Sequence, residues 1–296
     1  MRTFTLLFLS MVALIMLTNN CVTFSETTDK DSTYMDYDEA ALGYKFYEPT
    51  LDLKLEDELE ETSGLAYVDR STLATIEDEN GDLYLIDSQT GETKRKIKFH
   101  KDGDYESVEI VNQTVYVMKS NGDLYYFEMP DEDEVDAEEI DTEFSSKNNL
   151  EGMGYDGEKL LIACKNSGDV DDNEVDGKAV YSFDLSEKKV SKKEAFSITE
   201  DELDAFIKDR KYFDNVKDFD PSGIAVHPIT GDVYLLSADH VLVVFTKSYK
   251  LKEVVKLDHD IYRQPEGICF APDGTLYISS EGAGKSAKLF QLLYQD

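Results

Sequence analysis

Five short stretches of this chain place a carboxylate or a hydroxyl at the head of a brief apolar run, with glycine next in four of them. They read TSGLAY (62–67), YESVEI (105–110), LEGMGY (150–155), PSGIAV (221–226) and PEGICF (265–270). The shared polar position holds Ser63, Glu106, Glu151, Ser222 and Glu266, and Glu61, Asp104 and Asp220 lie two residues upstream of three of them. A second set closes the next apolar run of each unit: Glu77 and Asp78, Lys119, Lys165, Asp239 and Glu281. Carboxylates gathered in a narrow mouth must be neutralised by lysines, by protons or by a bound cation. Calcium accepts about six to eight oxygens in irregular geometry. Glu106, Glu151, Asp220 and Glu266 are therefore the candidate metal ligands. Glu61, Ser63, Glu77, Asp78, Lys119, Lys165, Asp239 and Glu281 are the candidate ligand-binding set. The alternative is internal: Lys119 pairs with Glu106 and Lys165 with Glu151, or the carboxylates cap backbone N–H groups.

Other chemistries have weaker support. The four histidines (His100, His227, His240, His259) show no ligand spacing, and there is no Gly-x-Ser-x-Gly elbow, so a side-chain nucleophile is not expected. A calcium-dependent hydrolase, lactonase- or esterase-like, is the alternative function. There the metal would polarise a carbonyl, and His240, beside Asp239, is the histidine placed to serve as base. DNEVDG (172–177) imitates the start of a calcium loop, but its twelfth position is Phe183 rather than Glu. GAGKS (282–286) lacks the spacing of a phosphate loop, and DEDEVDAEE (131–139) reads as a solvated acidic loop.

What brings the two polar sets together is a repeat. The five heads are spaced 43, 45, 71 and 44 residues apart, and each is followed by a second strand: TLATIED, TVYVMKS, KLLIACKN, DVYLLSAD and TLYISSEG. Asn-Gly-Asp-Leu-Tyr recurs at 80–84 and 121–125 at the turn into a third strand, and KRKIKF (94–99) supplies a fourth. Four antiparallel strands per unit of about 44 residues describe a blade of a β-propeller. The fold class is all-β, a five-bladed β-propeller, with six blades as the alternative. After Glu266 there is chain for only three strands, so the segment 47–56 is expected to complete the last blade and leave no open edge. The long interval holds Thr199-Glu200-Asp201-Glu202, a capping box, followed by Leu203, Phe206 and Ile207. This predicts a short amphipathic helix over 200–210 against blade three or four. In a blade the first strand lines the channel and the second returns, so both polar sets face one mouth. Cys164 and Cys269 fall on strands of blades three and five, which are not neighbours, so buried free thiols are expected rather than a disulfide.

The chain has 296 residues and a formal net charge of −33. Such a surface repels phosphate backbones, which argues against nucleic acid, and attracts divalent cations or basic partners. Residues 4–17 are apolar apart from Thr5 and Ser10, too short for a membrane span of about 20 residues and suited to a signal segment. The expected organisation is a signal peptide over 1–20, of lipoprotein type with Cys21 lipidated, a flexible tether over 21–43 and a propeller over 44–296. Asn20 departs from the small residue usual before such a cysteine. The protein is expected to be an exported monomer of the cell envelope, held on the periplasmic or surface side by its N-terminal anchor.

Taken together, ETSGLAY (61–67), YESVEI, LEGMGY, DPSGIAVHPITGDVYLLS (220–237) and QPEGICFAPDGTLYISSE (264–281) resemble the SdiA-regulated (YjiK-like) family of bacterial proteins. The resemblance covers residues 45–294 and implies an exported or membrane-associated β-propeller, without supplying a reaction. Glu61, Glu106, Glu151 and Glu266 match acidic positions of that family. Ser107 replaces the more typical glycine, which is expected to weaken blade two's contact at the channel. The function expected from all this is non-catalytic binding or scaffolding, with calcium, a small ligand or a protein at the mouth.

Overall fold

A computed structural model describes residues 39–295 apart from 212, 214 and 217. The expected signal peptide, Cys21 and most of the expected tether therefore lie outside the described residues. The described chain opens with helix α1 (Glu39–Leu42) and strand β1 (Leu51–Lys54). Blade one follows, built from β2 (Thr62–Asp69), β3 (Thr72–Glu77), β4 (Asp82–Asp87) and β5 (Thr93–Lys98). Blade two comprises β6 (Tyr105–Val111), β7 (Thr114–Lys119), β8 (Leu124–Glu128) and β9 (Glu138–Ile140). Blade three has β10 (Leu150–Tyr155), β11 (Leu160–Cys164) and β12 (Lys178–Asp184), its outer edge split between β13 (Lys189–Val190) and β14 (Phe196–Ile198). Helix α2 (Glu200–Ile207) precedes blade four, β15 (Pro221–Val226), β16 (Val233–Ser237), β17 (Val241–Phe245) and β18 (Leu251–Lys256). Blade five is β19 (Pro265–Phe270), β20 (Leu276–Ser280) and β21 (Lys288–Leu292), completed by β1.

The five-bladed arrangement is the expected one, and so is its closure. Leu51 to Lys54 pair with Gln291 to Lys288, antiparallel, so the first described strand supplies the outer edge of the last blade. Inner and middle strands are buried on both faces, because each blade is covered by a neighbour on either side. Outer strands such as β5 alternate between half-buried and exposed, the period-two pattern of a sheet with one wet face. Five apolar clusters fill the five interfaces between neighbouring blades.

The N-terminal segment is fastened at the end of blade five remote from Glu266. Leu42 is 2% exposed and packs into the cluster between blades four and five. Tyr44 sits among His227, Tyr234, Phe270 and Tyr294, and its hydroxyl donates to the Gly274 carbonyl. Tyr262 donates to the Phe46 carbonyl at 2.7 Å, and the Gln295 N–H donates to Gly43 at 2.9 Å. Among the described residues, no helix is long and apolar enough to cross a membrane.

Helix α2 carries the expected capping box between Thr199 and Glu202 and ends at Ile207. Leu203 and Ile207, one turn apart, enter the cluster between blades three and four. Phe206 does not join them. It lies on the flank of the helix, 37% exposed, with the Arg210 guanidinium 5.8 Å from its ring centre.

The glycines at the blade heads are a steric requirement. A Cβ on Gly64 would lie 2.6 Å from the Val108 nitrogen, and one on Gly223 would lie 2.8 Å from the Glu266 carbonyl oxygen. Neighbouring inner strands thus meet backbone to backbone. At the same position in blade two, Ser107 accepts a 3.0 Å hydrogen bond from the Met153 N–H of blade three, so the contact expected to be weakened is hydrogen-bonded instead. Gly64→Ala is expected to lower the unfolding free energy by about 1–3 kcal/mol through overpacking, read from urea denaturation. An unchanged midpoint would show that the inner strands can separate to admit a side chain.

Candidate functional site

A register shift aims the blade-head side chains. In blade two Tyr105 pairs with Lys119 and Ser107 with Met118, leaving Glu106 as the extra residue of a β-bulge. Glu151, Ser222 and Glu266 are the extra residues at the same point of blades three, four and five. In blade one the shift falls between Ser63 and Leu65. A bulge breaks the in-and-out alternation of a strand and re-aims one side chain. That is how a carboxylate can precede an apolar run and still face the mouth while the run packs between blades.

The mouth holds many carboxylates and little positive charge. The Lys165 ammonium lies 2.6 Å from Glu151 Oε1, which also accepts from Asn149 Nδ2 at 3.1 Å. Glu266 is 8% exposed. Its carboxylate accepts from the Gln264 amide nitrogen at 3.2 Å, and the same nitrogen donates to Glu281 at 2.6 Å. Burial, followed by the charges of Glu151 and Glu281, pushes Glu266 well above the carboxylate range. Burial, then Glu151 and Asp104, pushes Glu106 up to about 8. Glu281 is pushed up to about 7 by burial, then Asp78 and Glu61. Asp78 is pushed up to about 6 by burial, then Glu61 and Glu77, and its buried Oδ1 has no hydrogen-bond partner. Burial raises Glu151 as well, outweighing its bond to Lys165. For Lys165 burial opposes the charge, but Glu151, Glu266 and Glu106 overcome it and hold the ammonium above its ordinary value. These mutual influences bring Glu61, Asp78, Asp104, Glu106, Glu151, Glu266, Glu281 and Lys165 to one mouth, from blades one, two, three and five.

Other expected members are engaged by near neighbours. Lys119 does not pair with Glu106. The register sets it opposite Tyr105, and its ammonium lies 5.0 and 5.1 Å from the ring centres of Tyr105 and Tyr125. Asp220 is ion-paired with Lys178 at 2.8 Å. Asp239 is exposed and accepts from the Asp220 N–H at 3.0 Å. Glu77 closes the turn after β3, accepting from the N–H groups of Glu79 and Asn80 at 3.1 and 3.2 Å. Ser63 is buried, and its carbonyl accepts from the Thr75 hydroxyl at 3.2 Å. Among the described residues, two acidic groups have ligand atoms all within 4.8 Å: Asp258-His259-Asp260 and Asp123-Glu139-Asp141. Neither contains any of the expected set Glu106, Glu151, Asp220 and Glu266, whose side chains must move together to surround one ion. His240 has its Nε2 2.7 Å from the Arg263 carbonyl oxygen, which makes Nε2 the donor and leaves Nδ1 as the acceptor nitrogen. Cys164 and Cys269 are free and buried.

Three participants escaped the sequence reading. Gln264 carries no charge and gave no signal. Lys178 opens β12, fourteen residues from the end of β11, and reaches Asp220 only through the fold. Glu109 lies three residues along β6 from Glu106 and accepts from the Ile110 and Tyr155 N–H groups at 2.8 and 3.0 Å. Burial pushes it up to about 7. A glutamate inside the apolar run YESVEIV was the available signal for it.

The SdiA-regulated family model matches residues 39–283. No curated protein matches the chain. Among solved structures, the chain is similar to the PQQ-bound form of an aldose sugar dehydrogenase from Streptomyces coelicolor. The identity is 11%, with a TM-score of 0.51 over 84% of this chain and 98% of that one. It is also similar to a luciferin-regenerating enzyme, at 11% identity and a TM-score of 0.47 over 83% and 95% of the two chains. At this identity the sugar dehydrogenase shows a common fold and nothing about chemistry.

Asp78, Glu281 and Glu106 hold their protons more tightly folded than unfolded, so the folded state binds more protons between about pH 4 and pH 8. Their contribution is full below the unfolded values and is lost as pH rises through about 6, 7 and 8. In EDTA the urea midpoint is expected to fall from pH 5 to pH 9, and the double variant Glu106→Gln/Glu281→Gln to flatten that fall. A midpoint that rises across this window would contradict the electrostatics of the mouth.

Proposed function

We propose that this chain, which belongs to the SdiA-regulated family, is an exported, membrane-anchored and non-catalytic binding protein whose channel mouth takes calcium. One observation carries the reading: Glu266 and Glu281 share a single neutral amide, that of Gln264, and among the described residues no ammonium or guanidinium lies within ion-pair distance of either. Both carboxylates resist ionisation, as do Glu106 and Asp78 on the facing blades. A divalent cation supplies the charge that one ammonium leaves unmatched, and a calcium shell tolerates donors of mixed kind and spacing. Glu106, Glu151 and Glu266 are the donors, with Glu281 and Asp78 beside them. Asp220, ion-paired with Lys178 and acting on Glu151, is the outlying member of the shell. Binding rather than turnover is favoured because the chain has no Gly-x-Ser-x-Gly elbow and no ligand spacing among its four histidines. Export and anchoring rest on the apolar segment 4–17 and Cys21.

Calorimetric titration with calcium is expected to show binding accompanied by proton release at pH 7, since three or more raised carboxylates must ionise to receive the ion. Calcium should also raise the melting temperature, and EDTA should reverse the rise. Glu266→Gln is expected to weaken binding by at least about tenfold, the scale of one lost charge-assisted contact. Wild-type protein that neither takes up calcium nor melts higher in its presence would sink the reading. Sustained hydrolysis of a lactone or ester would move the mouth from binding to catalysis.

A further inference from the structure

We infer that Lys165 is a built-in competitor for the cation at the mouth, an internal ammonium that a divalent ion must displace and a monovalent ion cannot profitably replace. The inference rests on the calcium reading above and adds to it what sets affinity and selectivity. Lys165 follows the last residue of β11, and its backbone is pinned on both sides. Its N–H donates to the Asn149 carbonyl at 2.9 Å, and its own carbonyl accepts from Lys178 Nζ at 2.5 Å. Only the flexible four-carbon stem is left to move. It projects over the mouth with 27% of the side chain exposed and sets the ammonium 2.6 Å from Glu151.

That one ammonium acts on carboxylates from three blades: Glu106 of blade two, Glu151 of blade three, and Glu266 and Glu281 of blade five. An ion that takes Glu151 as a ligand must first displace this ammonium from it. The other two lysines near the rim are committed elsewhere, Lys178 to Asp220 and Lys119 to the rings of Tyr105 and Tyr125. When the stem swings out to water, Asn149 still holds Glu151, so the carboxylate stays in place for an incoming ion. Exchanging an ammonium for sodium or potassium leaves the charge of the mouth unchanged and gains nothing. Exchanging it for calcium adds one positive charge among at least four carboxylates. The lysine thus lowers absolute affinity and raises the preference for divalent ions, a specificity obtained by penalising the wrong occupant.

The test is calorimetric titration of the full chain with calcium chloride, and with sodium chloride as the monovalent probe, for wild type, Lys165→Met and Lys165→Arg. Lys165→Met is expected to bind calcium at least about tenfold more tightly, and its melting temperature should become sensitive to sodium. Lys165→Arg keeps the charge, and hence the fold, but grips Glu151 through a forked donor, so calcium should bind several-fold more weakly. If Lys165→Met fails to fold, the arginine variant decides: unchanged or tighter calcium binding overturns the inference. Wild type that binds calcium while Lys165→Met binds it equally or less well overturns the inference and leaves the calcium reading standing. If wild type and both variants are silent to calcium, both fall together.

Discussion

Around the axis of this molecule five inner strands crowd together, so closely at two of the blade heads that a side chain no longer fits. Gly64 meets the backbone of blade two and Gly223 that of blade five, and much else follows from that crowding. A strand covered on both faces must be mostly apolar along its length, and a polar side chain within it must be hydrogen-bonded, as Ser107 and Glu109 are. The bulge at each blade head then turns one residue out of the packed layer. With five heads around so narrow an axis, whatever those residues are, they meet. Here three of them are glutamates.

The molecule therefore carries an unresolved electrostatic balance at one end of an otherwise well-satisfied fold. Burial opposes the charge of Glu106, Glu151, Glu266 and Glu281 alike, Glu151 raises the other three, and Glu281 raises Glu266 further. One lysine and one amide offset part of this, and protons offset the rest. Such arrangements lower stability and are retained where the polar group has a task. Glu109, deeper on β6, shows the contrasting solution: two backbone N–H groups hold it and tie blade two to blade three.

The architecture was legible because it is written as a repeat. The head motif, the returning strand and the Asn-Gly turns fixed five blades, and the shortage of chain after Glu266 called for β1 as the closing strand. The mouth was half legible. Glu106, Glu151, Glu266, Glu281 and Lys165 could be read from repeat position alone, since equivalent positions in a propeller face the same way. Lys119 and Asp220 could not. A one-residue bulge moved Lys119 opposite Tyr105 and away from Glu106, and register shifts of that kind leave no mark in composition. Asp220 was claimed by Lys178, a residue brought near by folding rather than by spacing. Phe206 failed for a smaller reason: an eight-residue helix buries a two-residue stripe, and the flank of that stripe is wet.

The fastening of the N-terminal segment has a mechanical consequence. Gly43 and Tyr44 are held at the turn between β19 and β20, the end of blade five opposite Glu266, and from there the chain climbs through β1 toward the mouth. The described chain thus begins on the far side of the ring. A pull applied there runs along β1 and loads its pairs with β21 in shear, all four together, instead of peeling them one by one. The same tension meets Tyr44 wedged among four aromatic rings before it reaches the closing strand.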